Sequence, residues 1–341
     1  MKQWIGIDIG GANLKLADTH EFSKQSRFPM WKNPDRLANE LSRLLEGITD
    51  FDSVALTMTG EMADCFATRE EGVCRILEQV TRIVPSTCIR VYTVDGTWLS
   101  VPQAARDPWQ VGASNWKALA TYATRWTDGD PTLLVDVGST TTDIIAIQNK
   151  AVLSDAKSDR DRLVSNELVY TGIERSSIVG LVQELIVHDH PCPVINENFA
   201  TTSDVNLVLG YTDENLEDCD TSDGQPKTRS HAAYRLARTV GEDGSTLGQQ
   251  DIEKLAESIY DAQIALISKA MTSVAAHFKQ RSCERVLFSG HGDFLIEDAI
   301  EKLGWDIQRT RLSECLGHNL SRCAPAHAVA VLAAEQFHDH P

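Results

Sequence analysis

One short pattern occurs twice in the 341-residue chain, and this repeat constrains the fold more than any other feature. Ile7-Asp8-Ile9-Gly10-Gly11 resembles Val135-Asp136-Val137-Gly138-Ser139. Each copy predicts a buried strand that ends in an aspartate, one apolar residue and a small turn residue. Lys15 stands at the seventh position after Asp8, and Asp143 at the seventh position after Asp136. The shared spacing favours an internal duplication; the alternative is chance similarity between two short strands.

The remaining sequence alternates between strand and helix patterns, which predicts an α/β fold with largely parallel sheets. Breakers at Asp128-Gly129-Asp130-Pro131 predict a boundary between a first domain, 1–128, and a second, 129–341. The polar segment 211–230 is predicted to be a loop. Strands are predicted at 4–9, 53–57, 89–94, 132–137, 142–148, 285–288 and 305–309, and helices at 37–45, 73–84, 114–126, 249–280 and 325–337.

Charge and hydropathy exclude several classes of protein. Lys and Arg number 32 against 49 Asp and Glu, a net charge of −17, which argues against a nucleic-acid or anionic-membrane surface. The longest apolar runs are too short to span a membrane, and no signal peptide is visible, so we expect a cytoplasmic protein. The eight cysteines form no CxxC pair and are expected to be free thiols.

The first copy of the repeat carries groups that suit an anion. Gly10 and Gly11 allow a tight turn whose backbone N–H groups, with Asn13, approach a phosphate. A hairpin would return Lys15 to the same position, where its charge neutralises phosphate, while Asp8 suits a metal–water cluster. A simple β-turn with a surface lysine is the alternative.

The second copy is more specific. Gly138 is followed by four hydroxyl side chains, Ser139, Thr140, Thr141 and Thr142, which provide hydrogen-bond donors for phosphate oxygens. Asp136 and Asp143 flank this turn and, with Asp8, are our predicted Mg²⁺ ligands. A threonine-rich hairpin with good strand formers is the alternative.

A third glycine-rich turn, Gly290-His291-Gly292, follows a predicted strand and precedes a helix, as in loops that hold a nucleotide. In this order the three motifs resemble the actin/sugar kinase/Hsp70 superfamily. That resemblance implies two ribonuclease-H-like domains with an interdomain cleft, in which two hairpins hold phosphates and the late loop holds adenosine. It leaves open whether ATP binds here.

Segments 167–175 and 202–210 are similar to the hydantoinase A/oxoprolinase family. Met58–Asp64, Val94-Asp95-Gly96 and Ala113–Trp116 resemble one branch of it, the tetrahydromethanopterin-linked C1-transfer pathway proteins. The resemblance implies a transferase of methanofuran or methylofuran biosynthesis that joins a phosphate- or diphosphate-activated aminomethylfuran to a tyramine derivative.

Residues within these segments are further site candidates. Glu61 follows a predicted strand and is the first candidate for a general base; a surface turn is the alternative. Asp95 and Asn115 are candidate substrate contacts, and Arg175 is a candidate clamp for phosphate or carboxylate. Asp204 and Asn206 are predicted to contact metal, substrate or backbone, or to cap the apolar run 207–209.

Two histidine clusters are discounted. His188-Asp189-His190-Pro191-Cys192 has its histidines two positions apart and is predicted to be a surface turn, and His338-Asp339-His340-Pro341 is predicted to be a disordered chain end. His291 is more readily explained by packing.

Three functions follow from the sequence. The first is the transferase, acting on a small phosphorylated substrate with Mg²⁺. The second is an ATP-dependent small-molecule kinase or an oxoprolinase-like amidohydrolase, and the third is a non-catalytic nucleotide-binding regulator. The oligomeric state is left open, a homodimer included.

Overall fold

The computed structural model describes residues 3–48, 51–278 and 281–337. The first part of the chain forms a six-stranded sheet in the order β3-β2-β1-β4-β5-β6. Its central strands are apolar and buried on both faces, as expected where helices cover both faces of a sheet. The sheet is mixed rather than largely parallel as predicted, since two of its five strand pairs are parallel and three are antiparallel. Its strands are β1 (Trp4–Ile9), β2 (Asn13–Asp18), β3 (Ser23–Arg27), β4 (Ser53–Met58), β5 (Ile89–Tyr92) and β6 (Trp98–Leu99).

Five α-helices belong to this part of the chain. The residues of α1 that face the sheet are Leu37, Leu41 and Leu44, in agreement with the predicted spacing. The helices are α1 (Leu37–Leu45), α2 (Arg69–Thr81), α3 (Val101–Arg106), α4 (Pro108–Val111) and α5 (Asn115–Ala123).

The second sheet has the order β10-β8-β7-β13-β14, with β9 paired to β8. Within it, β7 and β8 form an antiparallel hairpin and β13 lies parallel to β7, just as β1 and β2 form a hairpin and β4 lies parallel to β1. The strands are β7 (Thr132–Val137), β8 (Thr142–Gln148), β9 (Ala151–Val152), β10 (Leu168–Val169), β11 (Glu184–Val187), β12 (His190–Pro193), β13 (Arg285–Gly290) and β14 (Gln308–Arg311).

In the second part of the chain, the segment predicted to be helical at 249–280 contains one long α-helix, α9, and not two shorter ones. The helices are α6 (Asp159–Val164), α7 (Thr202–Leu209), α8 (Arg229–Arg238), α9 (Gln249–Ala275), α10 (Asp293–Leu303), α11 (Leu312–Leu316), α12 (His318–Arg322) and α13 (Ala324–Gln336).

This repeated topology confirms the predicted fold class, two α/β sheets of the ribonuclease-H-like type. Two helices pack on the sheet formed by the other part of the chain. Trp116 and Leu119 of α5 pack against Leu134 and Ile145 of the second sheet. The closing helix α13 packs on the first sheet, where Gly6 permits the contact because a Cβ there would lie 1.8 Å from the Ala326 carbonyl oxygen.

The chain division at residue 128 stays a prediction, whereas the element boundaries differ from prediction at several places. The last strand, predicted at 305–309, lies at Gln308–Arg311. Helix α7 and helix α8 were not predicted at all. Within the predicted surface turn 188–192, His188 and Asp189 form the exposed turn between β11 and β12, whereas His190, Pro191 and Cys192 belong to β12. The prediction for His338–Pro341 falls outside the described residues.

None of the helices within the described ranges combines the length and apolar character needed to cross a bilayer.

Candidate active site

The first hairpin places Asp8 and Lys15 directly opposite each other on β1 and β2. The Gly10 N–H closes the turn by donating to the Asn13 carbonyl oxygen at 3.0 Å. Gly11 and Ala12 accept hydrogen bonds from the Met30 and Phe28 N–H groups at 2.9 and 2.8 Å. The turn is thus held by the segment that follows β3, and Lys15 is brought beside Asp8 as the sequence predicts.

The second hairpin repeats this geometry with different side chains. Asp136 and Asp143 lie opposite each other on β7 and β8, and the Gly138 N–H donates to the Thr141 carbonyl oxygen at 2.9 Å. The buried Thr142 hydroxyl donates to the Thr171 carbonyl oxygen at 2.8 Å. The Thr142 hydroxyl therefore supports the turn. Of the four hydroxyl groups predicted to donate to phosphate, those of the half-buried Ser139, Thr140 and Thr141 remain candidates.

The two hairpins face each other closely enough to interact electrostatically. Burial raises the pKa of Asp8 to about 6; Lys15 lowers this pKa, whereas Asp136 and Asp143 raise it further. Burial also raises the pKa of Asp136, again with a contribution from Asp143. Asn115, a residue predicted for the site, lies in the first turn of α5 and lowers the pKa of Asp8.

A hard divalent cation suits this cluster. Its carboxylates supply the oxygen ligands that Mg²⁺ prefers, and Asp8 Oδ1 is buried without a hydrogen-bond partner in the described part of the chain. Within the same ranges there is no group of three or more His, Cys, Asp or Glu side chains that could by itself hold a metal. Magnesium sites commonly use one or two carboxylates and complete their shell with water and substrate phosphates, so the residues fit.

Arg162 is a member of this cluster that the sequence did not single out. Its guanidinium is buried, donates from Nη2 to Asp143 and lies 4.6 Å from the Trp116 ring centroid. Arg162 lies in α6, whose first turn is capped by the Ser158 hydroxyl, which accepts from the Asp161 N–H at 3.2 Å. The Ser158-x-x-Asp161 pattern is a recognisable helix start, but only the tertiary fold shows that Arg162 reaches Asp143.

Glu61 is a buried carboxylate, so the surface-turn alternative is wrong. Burial raises its pKa to about 7, and Arg69 lowers that pKa from a distance of 3.7 Å. Both Glu61 carboxylate oxygens lack a hydrogen-bond partner among the described residues. Gly112 makes room for this carboxylate, because a Cβ there would lie 2.8 Å from Glu61 Oε1.

Arg69 connects Glu61 to the second half of the chain. Its Nη2 lies 3.7 Å from an oxygen of Asp159, the first residue of α6. Its guanidinium also lies 4.8 Å from the ring centroid of the exposed Trp109. The sequence signal for Arg69 was the capping pattern Thr68-x-x-Glu71, which starts α2 four residues before the predicted helix.

The third glycine-rich turn serves packing in this structure. The His291 N–H donates to the Val137 carbonyl oxygen at 2.8 Å. A Cβ on Gly290 would lie 2.1 Å from that same oxygen, and one on Gly292 would lie 2.4 Å from Val137 Cγ1. Burial lowers the pKa of His291 to about 4, which keeps the imidazole neutral. These contacts explain both glycines without a nucleotide.

The remaining predicted contacts separate into two groups. Asp95 is exposed at a turn and pairs with Lys157, and Arg175 is exposed at the rim of a cleft described below. Asp204 instead accepts from Arg235 Nε at 2.8 Å and caps α7, while Asn206 Nδ2 donates to the Ile173 carbonyl oxygen at 2.8 Å. These two side chains stabilise the protein around α7, so their predicted substrate or metal contacts receive no support. The capping alternative holds for Asp204, although the helix begins at Thr202 rather than at 207.

A cleft of about 320 Å³ borders both hairpin turns. It contacts the first turn at Ala12 and Asn13 and the second at Ser139. Its other walls carry charges of both signs and one aromatic ring, and sequence reasoning identified only Arg175 among them. The remaining lining residues are Arg27, Pro29, Trp31, Lys32, Glu174, Asp218 and Asp220.

Comparison with known proteins gives one family and two curated relatives. The hydantoinase/oxoprolinase family model matches residues 52–336. The chain is 34% identical over 337 residues, 98% of both chains, to the (4-{4-[2-(gamma-L-glutamylamino)ethyl]phenoxymethyl}furan-2-yl)methanamine synthase of Methanocaldococcus jannaschii. It is 29% identical over 207 residues to the synthase of the same name from Methanococcus vannielii, which covers 60% of this chain and 91% of that one.

A solved structure of acetone carboxylase, in its nucleotide-free form, shares the fold. The two superpose with a TM-score of 0.55 over 96% of this chain and 70% of that one, at 10% sequence identity. At this identity the likeness concerns the fold alone.

Proposed function

The chain belongs to the hydantoinase/oxoprolinase family, and from that premise we propose that it is a transferase that forms the phenoxymethyl ether named in its two relatives. The observation that carries the proposal is the 34% identity to one such synthase over 98% of both chains. That product contains a furan bearing a methanamine group, joined through an ether to a γ-glutamylated tyramine. The acceptor is therefore a phenol, and the donor is an aminomethylfuran with an activated CH₂ group.

The reaction forms one bond and breaks another. The phenol loses its proton, and the phenolic oxygen donates an electron pair to the furan CH₂ carbon. The bond from that carbon to the phosphate or diphosphate oxygen breaks, and the leaving group departs with its electron pair. No oxidant or reductant is required.

The chain offers a distinct group for each demand of this reaction. Lys15 and the turns at Gly10–Asn13 and Gly138–Thr141 surround the position for the leaving phosphate or diphosphate with a cation, N–H groups and hydroxyls. Glu61, whose pKa of about 7 lies close to neutrality, accepts the phenolic proton. Arg69 holds the Glu61 carboxylate from 3.7 Å.

We propose that Mg²⁺ binds among Asp8, Asp136 and Asp143, with one or two of these carboxylates as direct ligands and with water and substrate phosphates completing the shell. Such an ion supplies positive charge that stabilises the departing diphosphate. It would also offset the repulsion by Asp136 and Asp143, which adds to the effect of burial in raising the pKa of Asp8. Thus an acidic protein binds an anionic substrate through local cations and N–H groups rather than through its net charge.

Mass spectrometry of the products tests the proposal. The purified protein is incubated with Mg²⁺, a furan-methanol diphosphate that carries the aminomethyl group, and γ-glutamyltyramine. We expect an ether product whose mass equals the sum of the acceptor and donor masses minus the mass of the released diphosphate. One diphosphate should be released for each ether formed.

The Asp8→Asn variant, checked for folding by thermal shift, is the control for chemistry at this site. ATP replaces the diphosphate donor in a parallel reaction. ATP hydrolysis or phosphoryl transfer without ether formation would support the kinase or amidohydrolase alternative. Stabilisation by nucleotide with no turnover of any of these substrates would support the regulator.

Three predictions from the sequence remain part of this proposal: the domain division at residue 128, a cytoplasmic location and an unspecified oligomeric state that includes a homodimer. Size-exclusion chromatography with light scattering measures the last of these.

A further inference from the structure

The cleft beside the hairpin turns combines features that one ligand could use together. Its volume, about 320 Å³, lies at the lower end of the range for small-molecule sites. Ala12, Pro29 and Trp31 supply apolar surface next to the first turn. Arg175 and Lys32 add positive charge, and Glu174 adds negative charge.

The charged residues of the cleft differ in how far they are already paired. Arg27 of β3 pairs with both Asp218 and Asp220. Lys227 pairs with Asp218 at 2.8 Å and lies 3.7 Å from Glu174. Within the described residues Arg175 and Lys32 make no ion pair, and the Arg175 guanidinium instead lies 4.4 Å from the Trp31 ring centroid. These two cations are therefore available for a ligand.

The balance of charge argues for a zwitterion rather than for a polyanion. A diphosphate placed here would approach Glu174, Asp218 and Asp220 as well as the cations, and these carboxylates would repel it. A ligand group with one carboxylate and one ammonium has no net charge and satisfies both signs. Glu174 and Arg175 are adjacent in the chain and place opposite charges side by side on one rim.

The segment between α7 and α8 contributes to the lining of this cleft. The sequence identified residues 211–230 only as a polar loop. The ion pairs of Arg27 with Asp218 and Asp220 connect this loop to the sheet of the first half of the chain. The loop thereby forms one wall of the cleft.

We propose that this cleft binds the α-amino-acid end of the acceptor, the γ-glutamyl group, with its carboxylate at Arg175 and Lys32 and its ammonium at Glu174. This inference rests on the proposed function, because it takes the acceptor from that proposal. The apolar part of the cleft then receives the tyramine portion and directs the phenol toward the two hairpin turns.

Acceptor selectivity tests the assignment. The measured quantity is kcat/KM for γ-glutamyltyramine divided by kcat/KM for tyramine, with the same furan diphosphate donor. Arg175→Gln should lower this ratio at least tenfold, mainly through KM for the glutamylated acceptor, since the lost guanidinium contacts a group that tyramine lacks. Lys32→Gln, also at an exposed position, should lower it in the same direction.

Arg82→Gln is the matched control, because Arg82 is an exposed arginine at the end of α2 that pairs with Glu78 and is not among the residues that line the cleft. Its selectivity ratio should equal that of the wild type. An unchanged ratio in both Arg175→Gln and Lys32→Gln, with folded variants and normal ether formation, would overturn the cleft assignment and leave the proposed function intact. Absence of ether product from the wild type with either acceptor would overturn the proposed function and this inference with it.

Discussion

The two aspartate hairpins share a backbone and differ in chemistry. In each, the N–H of the glycine two residues after the aspartate closes the turn, at 3.0 Å in the first and 2.9 Å in the second. In each, the carbonyl oxygen before that glycine accepts from the loop after the neighbouring parallel strand: Ile9 from Thr59 and Gly60, and Val137 from His291. Opposite the aspartate, however, one hairpin has Lys15 and the other has Asp143.

This difference indicates that the two hairpins have different functions. The first pairs one carboxylate with one cation, which suits contact with an anionic leaving group. The second concentrates two carboxylates, of which Arg162 from a different element pairs with one, and the remaining negative charge suits a bound cation. A duplicated backbone thus carries a different charge on each of its two copies.

The largest effect on activity is expected when the first hairpin is made to resemble the second. Lys15→Asp replaces the cation by a fourth carboxylate beside Asp8, Asp136 and Asp143, so the leaving group is repelled where it was stabilised. We expect kcat/KM to fall by about 10³-fold or more. Steady-state ether formation measures this, and Lys15→Arg, which keeps the charge, should retain activity within about tenfold. Equal activity in both variants would show that charge at this position is unimportant.

Removing the partner that is specific to the second hairpin should mainly affect stability. Arg162→Gln leaves Asp143 without its buried counter-charge, and Arg162 is only 3% exposed. We expect the free energy of unfolding to fall by ~3 kcal/mol. Urea denaturation measures this, with Arg160→Gln in the same helix as control. A loss equal to that of the control would mean that the ion pair contributes nothing.

A third prediction concerns Glu61, which follows the parallel strand beside the first hairpin. Glu61→Gln should lower kcat by about 10²-fold. The base is active when deprotonated, so wild-type activity should rise with pH through the Glu61 pKa of about 7. Because the Arg69 cation lowers that pKa, Arg69→Gln should move this limb to higher pH. A pH–rate profile of each variant measures this. If the rise in activity occurs at the same pH in Arg69→Gln as in the wild type, it reflects the titration of another group, such as Asp8.

The smallest effect should come from the equivalent glycines. A Cβ on Gly10 would lie 2.9 Å from the Asn13 carbonyl oxygen, whereas one on Gly138 would lie 3.5 Å from the Thr141 carbonyl oxygen. Neither glycine has a positive φ, so only the space around the Cβ decides. We expect Gly10→Ala to lower stability by ~1 kcal/mol more than Gly138→Ala. Thermal unfolding of the two single variants compares them directly, and the reverse order would show that the turns relax differently.

The sequence predicted the hairpins because they are local. A strand, a tight turn and a return strand involve about ten consecutive residues, and alternating apolar positions set the register that places Asp8 opposite Lys15. The fold class followed from the order of these units along the chain, and the family followed from segments 167–175 and 202–210. Both are confirmed. Helices α7 and α8 were missed because their apolar spacing is short and their polar caps resemble loop sequence.

The assignments that differed from the structure depend on distant partners. Asp204 was expected in the site, but its carboxylate forms an ion pair with the guanidinium of Arg235. The missing Cβ of Gly292 makes room for Val137, while its expected contact with a nucleotide stays a prediction. Arg69 and the walls of the cleft other than Arg175 and the two hairpin turns were not identified, because nothing near them in sequence marks a functional residue.

The sequence alone therefore determined the duplicated unit, its register and the identity of the four charged residues that face one another in pairs. Only the tertiary structure decided what surrounds them. It brought α13 back to the first sheet and α5 onto the second, buried Glu61, and carried Arg162 to Asp143. The physical reason is that hydrogen bonds and register act between near neighbours, whereas burial and long-range charge, which set the pKa values of Asp8 and Glu61, exist only once distant segments have packed together.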